Sequence, residues 1–184
     1  MLLMSKAVVF LDGGYLNKVL ENVFGKPPFG YDKFSDELCA RAGCERVRTY
    51  YYNCPPYQSN PPTSAERTKV ANFDRFIAYL RKSTKIEPRL GRLQRTGNEF
   101  KQKHVDVFLS VDLVKLACKG VIDKAIIVSG DSDFVPAVKV AKEEGVVIIL
   151  HYSRTPPMYV HNELLETCDE KFEIRQDLID ASRP

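Results

Sequence analysis

Four aspartates occupy positions from which they could share one reactive site. Asp12 ends the apolar run 7–11, and Asp131 and Asp133 follow the apolar run 125–129. Both runs are typical of buried strands, and an open α/β sheet binds its ligands beyond the carboxyl ends of its strands. We therefore expect these three acids at one edge of a sheet.

The fourth acid, Asp112, lies in the segment KHVDVFLSVDLVKLA, which predicts a strongly apolar helix. Its neighbours at helical spacing are mostly apolar: Phe108, Leu109, Leu116 and Lys115. A carboxylate on such a face tends to be buried, at a cost of several kcal/mol unless something pairs with it. Asp106, six residues earlier, points about 120° away but could approach the site from the loop end.

Carboxylates gathered in one crevice repel each other unless cations hold them or some are protonated. Oxygen ligands with few histidines suit Mg²⁺ or Mn²⁺ rather than Zn²⁺. Such a cation activates water and offsets the charge of an in-line phosphoryl displacement. We predict metal ligands at Asp12, Asp112, Asp131 and Asp133, with Asp106 as a further catalytic candidate.

Each acid could also serve the fold alone. Asp12 could cap the helix after the first strand, and Asp131 or Asp133 could cap the helix that follows them. Asp112 could be half exposed beside Lys115. Because one cap needs only one acid, capping does not account for both members of the late pair.

Basic residues suggest where a phosphate backbone would bind. Residues 81–103 carry eight basic side chains against two acids, which is the pattern of a phosphate footprint or, alternatively, of a solvated loop. The expected substrate contacts are Arg92, Arg95, Lys103, Ser129 and Tyr52. Tyr52 could stack a base, although alternate strand tyrosines belong to the core by default.

The elements that must position these residues alternate along the chain. Strands are predicted at 7–11, 46–53, 85–90, 125–129, 146–150 and 171–174, and helices at 15–23, 32–42, 65–82, 105–119, 134–144 and 160–167. Residues 91–104 are predicted to be a basic connector, and the chain to end in a turn. Continuous apolar strands between helices indicate a parallel sheet covered on both faces. We predict one doubly wound α/β domain over residues 1–184.

Composition sets limits on the class of protein. The chain has 184 residues, 44% of them hydrophobic, and no apolar run approaches the roughly 20 residues of a membrane span. Its apolar start is broken by Ser5 and Lys6 and does not resemble a signal peptide. The five cysteines lack the spacing of a zinc site or disulfide framework, so we expect free thiols and a cytoplasmic protein.

Three segments together resemble a known family. VVFLDGG (8–14), KHVD (103–106) with Asp112 following, and VSGDSDFVP (128–136) are similar to the NYN domain family, most of all its LabA-like branch. That family belongs to the PIN-like superfamily of metal-dependent ribonucleases. The resemblance spans about residues 6–152 and implies a three-layer α/β/α fold, a mostly parallel sheet and acidic Mg²⁺ ligands.

The motifs assign roles residue by residue. Asp12 matches the family's first-strand acid, Asp112 the acid of the middle helix, and Asp131 and Asp133 the late pair, while Asp106 matches a recurrent acid of the KxVD segment. The chain departs from the family where an asparagine often stands three residues after the first aspartate. Here that residue is a tyrosine, and the nearest asparagine lies two residues further on.

Three functions follow as expectations. The first is a Mg²⁺- or Mn²⁺-dependent ribonuclease acting on single-stranded RNA, as a monomer or homodimer. The second is an NYN module that binds RNA or a partner without catalysis, against which the presence of all four acids argues. The third is a small-molecule phosphohydrolase of the haloacid-dehalogenase type, which ranks low because Gly14 stands where that class has a second acid.

Overall fold

A six-stranded parallel sheet forms the centre of the computed structural model, which describes residues 4–96, 99–103 and 105–184. Its strands run in the order β3-β2-β1-β6-β7-β8. They are β1 (Ser5–Asp12), β2 (Cys44–Asn53), β3 (Ile86–Leu90), β6 (Lys124–Val128), β7 (Val147–Tyr152) and β8 (Glu170–Glu173). Two further strands, β4 (Arg92–Thr96) and β5 (Glu99–Lys103), pair with each other as an antiparallel hairpin.

Helices cover both faces of the sheet. They are α1 (Gly13–Asn22), α2 (Tyr31–Arg41), α3 (Ser64–Lys82), α4 (Val105–Cys118), α5 (Val135–Glu143), α6 (Asn162–Thr167) and α7 (Gln176–Ala181). One core joins the sheet to α4, α5 and α6, and the other joins it to α1, α2, α3 and α7. The predicted fold class is confirmed: a parallel central sheet lies between two layers of helices. No helix of the described residues is long and apolar enough to cross a membrane.

The two faces follow from the alternation of side chains along each strand. In β1, Val8 and Phe10 enter the core beneath α4, whereas Val9 and Leu11 enter the opposite core. Successive residues of a strand point to opposite faces, and every inner strand has apolar residues at both sets of positions. This arrangement is the reason that the strands are continuous apolar runs in the sequence.

The predicted connector at 91–104 was wrong in part. Its backbone forms the β4–β5 hairpin, with Arg92 paired to Lys103. The two strands are mostly polar and lack the period-two apolar pattern that marks a strand against a core, so they escaped prediction. The predicted final turn is the helix α7. The hairpin starts at the sheet's edge, where the backbone N–H of Gly91 donates to the carbonyl of Asn53 (2.9 Å).

The strand register lines up three polar residues across the carboxyl end of the sheet. Asp12 of β1 pairs with Tyr52 of β2, which pairs in turn with Arg89 of β3. Adjacent strands lie about 4.8 Å apart, so the three residues stand in a row on the face that α4 covers. On the other side of β1, Leu11 pairs with Val128, which places Ser129 beside Asp12.

Gly13 allows the chain to turn from β1 directly into α1. A Cβ atom on this residue would overlap the ring of Tyr51, which is fully buried. The hydroxyl of that tyrosine accepts hydrogen bonds from the side-chain amides of Asn17 (2.9 Å) and Asn53 (2.8 Å), so the ring is fixed in place. The close approach of α1 to β2 therefore requires a glycine.

We expect Gly13→Ala to lower the free energy of unfolding by about 1–3 kcal/mol, as overpacking a core does. Urea denaturation followed by circular dichroism measures the change. Gly30→Ala is the matched control, because its new methyl group would meet its nearest neighbours at 3.3 Å and needs only a small shift. Equal losses in the two variants would contradict the packing argument.

Candidate active site

A cleft of about 440 Å³ opens at the carboxyl ends of β1 and β6, and three acids line it. Asp12 comes from the end of β1, Asp131 from the loop after β6 and Asp106 from the first turn of α4. These two strands lie side by side in the middle of the sheet. Three separate segments of the chain thus bring carboxylates to one place.

Hydrogen bonds fix both oxygens of Asp12. The residue caps α1, with its Oδ1 accepting from the backbone N–H of Tyr15 (3.0 Å), and its Oδ2 accepts from the hydroxyl of Ser129 (3.0 Å). Burial raises the pKa of Asp12 most, these two bonds lower it, and the charges of Asp106 and Asp131 raise it further. A carboxylate has about four acceptor sites, so the capping role leaves room for another ligand.

Ser129 connects Asp12 to the second acid of the cleft. Its oxygen accepts from the backbone N–H of Asp131 (3.2 Å) while its hydroxyl donates to Asp12. Asp131 in turn caps a single 3₁₀ turn (Ser132–Phe134), its Oδ1 accepting from the N–H of Asp133 (3.0 Å). Ser129 is fully buried, so it orients the acids and does not present the substrate contact that was expected of it.

Asp106 completes the group. Partial burial raises the pKa of its carboxyl, and the charges of Asp131 and Asp133 raise it further. Asp133 is exposed and does not line the cleft, although its charge reaches Asp106. The structure therefore brings together Asp12, Asp106 and Asp131, with Asp133 at the periphery.

Asp112 lies elsewhere, in a different environment. Its Oδ2 accepts from the hydroxyl of Tyr52 (3.0 Å) and lies 3.4 Å from Nε of Arg89. It lines a separate cleft with Phe108 and Lys115. The six residues that separate it from Asp106 turn it by about 120° and move it about 9 Å along α4. The structure thus pairs Asp112 with β2 and β3 and does not place it among the acids of the first cleft.

The residues expected to contact the substrate do not lie together in the structure. Tyr52 is fully buried and stacks on Phe10 with ring centroids 6.5 Å apart, so its face is closed to a base. Arg92 is exposed at the base of the hairpin. The side chains of Arg95 and Lys103 lie outside the described part of the structure, as does His104.

Tyr15 occupies the position of the family's usual asparagine and forms one wall of the cleft. Its hydroxyl accepts from the backbone N–H of Ser153 (2.8 Å), and burial raises its pKa to about 12, so it stays neutral. Its ring packs against Gly130, where a Cβ atom would lie 2.6 Å from the carbonyl oxygen of Tyr159. Asn17 does not replace the missing asparagine, because it binds Tyr51 and Tyr31 away from the cleft.

Sequence reasoning missed Lys18, Tyr159 and His161, which also line the cleft. Lys18 had a signal, since it lies three residues after Tyr15 and therefore on the same face of α1. Tyr159 and His161 had none, because they come from an irregular segment after β7. The backbone N–H of His161 donates to the carbonyl of Gly130 (3.0 Å), and this bond holds the segment over the cleft.

The acids fit a hard divalent cation by the chemistry of their donors. Burial raises the pKa of Asp12 and of Asp106, and the charge of Asp131 raises both further, so a cation would relieve that repulsion. None of the three forms an ion pair within the described residues. As the side chains stand, no three His, Cys, Asp or Glu residues of the described chain form a group that could hold a metal ion.

A three-layer α/β domain with an acidic cleft at the end of its central strands is the class that this geometry defines. The model of the NYN domain matches residues 6–175. The chain belongs to the NYN domain family. No curated protein is significantly similar to it.

A solved structure shows the same fold. A crystal structure of a Vibrio parahaemolyticus protein of unknown function matches with a TM-score of 0.68 and 20% identity, over 96% of this chain and 97% of that one. MurG of Acinetobacter baumannii matches with a TM-score of 0.46 and 11% identity, over 97% of this chain and 44% of that one. The first likeness establishes the fold alone, and the second is too remote to support an argument.

We expect Asp106→Asn to stabilise the cation-free protein at pH 7. The folded-state pKa of Asp106 is raised, so its ionised form opposes folding above that pKa and has no such effect at low pH. The gain in the urea midpoint, measured in EDTA, should therefore shrink as the pH falls toward 4.

Asp169→Asn is the control of opposite sign. Its pKa is lowered by the N–H of Ile148 and by Lys142, so its charge contributes stability that is present at pH 7 and lost as the pH falls. The urea midpoint of this variant should be lower than wild type at pH 7. Destabilisation by Asp106→Asn at pH 7 would contradict the like-charge repulsion inferred for the cleft.

Proposed function

We propose that this protein is a metal-dependent ribonuclease of the LabA-like branch that hydrolyses phosphodiester bonds of single-stranded RNA. One observation carries the proposal: Asp12, Asp106 and Asp131 converge on one cleft from three segments of the chain. Burial and mutual repulsion raise the pKa of the first two, and such perturbed carboxyls in a cleft are typical of catalytic sites.

The three carboxylates would hold Mg²⁺ or Mn²⁺. Bound there, the cation would lower the pKa of water and offset the negative charge that develops at phosphorus. Ser129 and the N–H of Tyr15 keep the carboxylate of Asp12 in one orientation. Lys18, at the rim, supplies a positive charge to a phosphate.

A polynucleotide suits the surroundings of the cleft better than a small phosphate ester. The β4–β5 hairpin leaves the same edge of the sheet, beside the end of β2. Its ten strand residues include four basic residues and one acid: Arg92, Arg95, Lys101, Lys103 and Glu99. Lys and Arg bind phosphates regardless of base sequence, so a hairpin of this composition at the same edge of the sheet favours a strand that continues past the cleaved bond.

Asp112 has a positioning role in this proposal. Its charge is already balanced by Arg89, whose guanidinium also lies 5.1 Å from the centre of the Tyr50 ring. With Tyr52 as a hydrogen-bond donor, these contacts attach the middle of α4 to β2 and β3. The attachment fixes the helix that carries Asp106.

We expect the protein to cleave end-labelled single-stranded RNA in Mg²⁺ or Mn²⁺, and Asp131→Asn to lower the rate by about a hundredfold or more, as loss of a metal ligand or its support does. Single-stranded DNA is assayed in parallel. Asp74→Asn on the exposed side of α3 removes the same charge away from the cleft and should leave the rate unchanged.

Three outcomes would contradict the proposal. Wild-type rates in Asp131→Asn would remove the metal assignment. RNA binding without cleavage in either cation would identify a binding module of the NYN fold. Hydrolysis of a simple phosphomonoester with RNA untouched would identify a small-molecule phosphohydrolase.

A comparison of Asp106→Asn with Asp112→Asn distinguishes an acid that binds the metal ion from one that stabilises the fold. We expect Asp106→Asn to abolish Mn²⁺ binding measured by calorimetry. Asp112→Asn should retain Mn²⁺ binding but lower the free energy of unfolding by about 1–3 kcal/mol, because Arg89 loses one of its two acidic partners and keeps only Glu87. The reverse pattern would return Asp112 to the ligand set and leave Asp106 outside it.

A further inference from the structure

A second cavity, of about 560 Å³, lies between the edge of the sheet at β7 and β8 and the helices α2 and α7. This is within the range of small-molecule pockets, about 300–1,000 Å³. Its lining has an apolar part, formed by Leu38, Ile149 and Leu178, and a strongly basic part. None of the acids of the first cleft lines it.

The basic part of this cavity has more positive charge than its acids balance. Arg41 is paired with Asp177 (2.6 Å). Three other cations line the cavity, Arg154, Lys171 and Arg175, and none of them forms an ion pair within the residues that the structure describes. Glu173 is the one further acid in the lining. Like charges around a concave surface raise the local potential, which favours an anion with more than one negative charge.

An aromatic surface stands beside these cations. Phe172 of β8 is 48% exposed although it lines the cavity. Its inner side is backed by His151, whose ring lies 5.5 Å away at 28° and is only 4% exposed. Burial and the nearby Arg41 lower the pKa of His151 to about 4, so the imidazole is neutral and adds no charge behind the ring.

Each part of the cavity is ordinary when it is taken alone. Single exposed aromatic residues are common on protein surfaces, and charged side chains on an edge strand such as β8 hinder aggregation. Lys171 alternates with Phe172 along β8 and is in register with Leu150 of the opposite core, so its side chain points to the other face of the sheet. Neither rule accounts for a concave pocket that is lined by a supported ring and by two arginines without ion-pair partners, Arg154 and Arg175. A planar ligand that carries a phosphate uses both features.

We propose that this cavity binds a nucleoside monophosphate, either free or as the end of an RNA chain, with the base on Phe172 and the phosphate between Arg154 and Arg175. The site does not depend on nuclease activity. It lies close to the acidic cleft, because Ser153, between Tyr152 and Arg154 of the cavity lining, donates its N–H to the hydroxyl of Tyr15 in the cleft wall.

Calorimetry with AMP tests the proposal on the full chain in EDTA, where the cleft holds no divalent cation. We expect Phe172→Ala to weaken AMP binding by about tenfold or more, the effect of losing a base-stacking ring, and Phe172→Tyr to preserve it. The double variant Arg154→Gln/Arg175→Gln should weaken AMP binding by a similar factor. Adenosine and inorganic phosphate should each bind more weakly than AMP.

Two controls distinguish binding in this cavity from a general effect of charge and from binding in the acidic cleft. Arg75→Gln/Arg81→Gln removes two arginines from the exposed side of α3 and should leave AMP binding unchanged. Asp131→Asn should also leave it unchanged, which distinguishes failure of this proposal from failure of the nuclease proposal. Wild-type affinity in both cavity variants, equal losses in the α3 control, or phosphate binding as tightly as AMP would overturn the inference.

A competition experiment between AMP and RNA distinguishes a free nucleotide from the end of an RNA chain as the ligand. An RNA pentamer with a terminal phosphate that displaces AMP would identify the chain end as the ligand. A pentamer that leaves AMP bound would identify the free nucleotide. Each of these results supports the nucleotide site, whereas no measurable AMP binding by the wild type overturns it.

Discussion

The enclosed carboxylate of Asp12 is the constraint on which the rest of the site depends. Asp12 ends β1, an inner strand of the six-stranded sheet, and caps the helix α1 that follows. Its position is therefore set by the core on both faces of the sheet. Burying a charge is costly without partners, and the hydroxyl of Ser129 and the N–H of Tyr15 supply them. Because Ser129 also binds the backbone of Asp131, stabilising one acid places the next.

The remaining cost is electrostatic. Burial raises the pKa of Asp12 most, and the charges of Asp106 and Asp131 raise it further despite its two hydrogen-bond donors. Neither Asp106 nor Asp131 forms an ion pair within the described residues, whereas Asp112, on the same helix as Asp106, lies beside Arg89. This contrast supports the proposal that Asp106 binds the cation and that Asp112 stabilises the fold.

Much of the fold was predictable because continuous apolar runs alternate with amphipathic segments. The carboxyl ends of β1 and β6 could be located from the aspartates that follow them. Which of Asp106 and Asp112 lies in the cleft with Asp12 was not predictable. Their spacing shows that they face apart, but only the packing of α4 on β2 and β3 shows which of them turns toward Asp12. The wall formed by Tyr159 and His161 depends on the path of an irregular segment, and no periodicity encodes such a path.

The attachment of α4 at Asp112 has a mechanical consequence. A helix is a stiff rod, and the contact with Arg89 and Tyr52 lies about 9 Å along its axis from Asp106. A tilt of α4 about that contact would displace the start of the helix, where Val105 and Asp106 line the cleft. Side chains on an outer strand of the sheet thereby control the alignment of a group that they never touch.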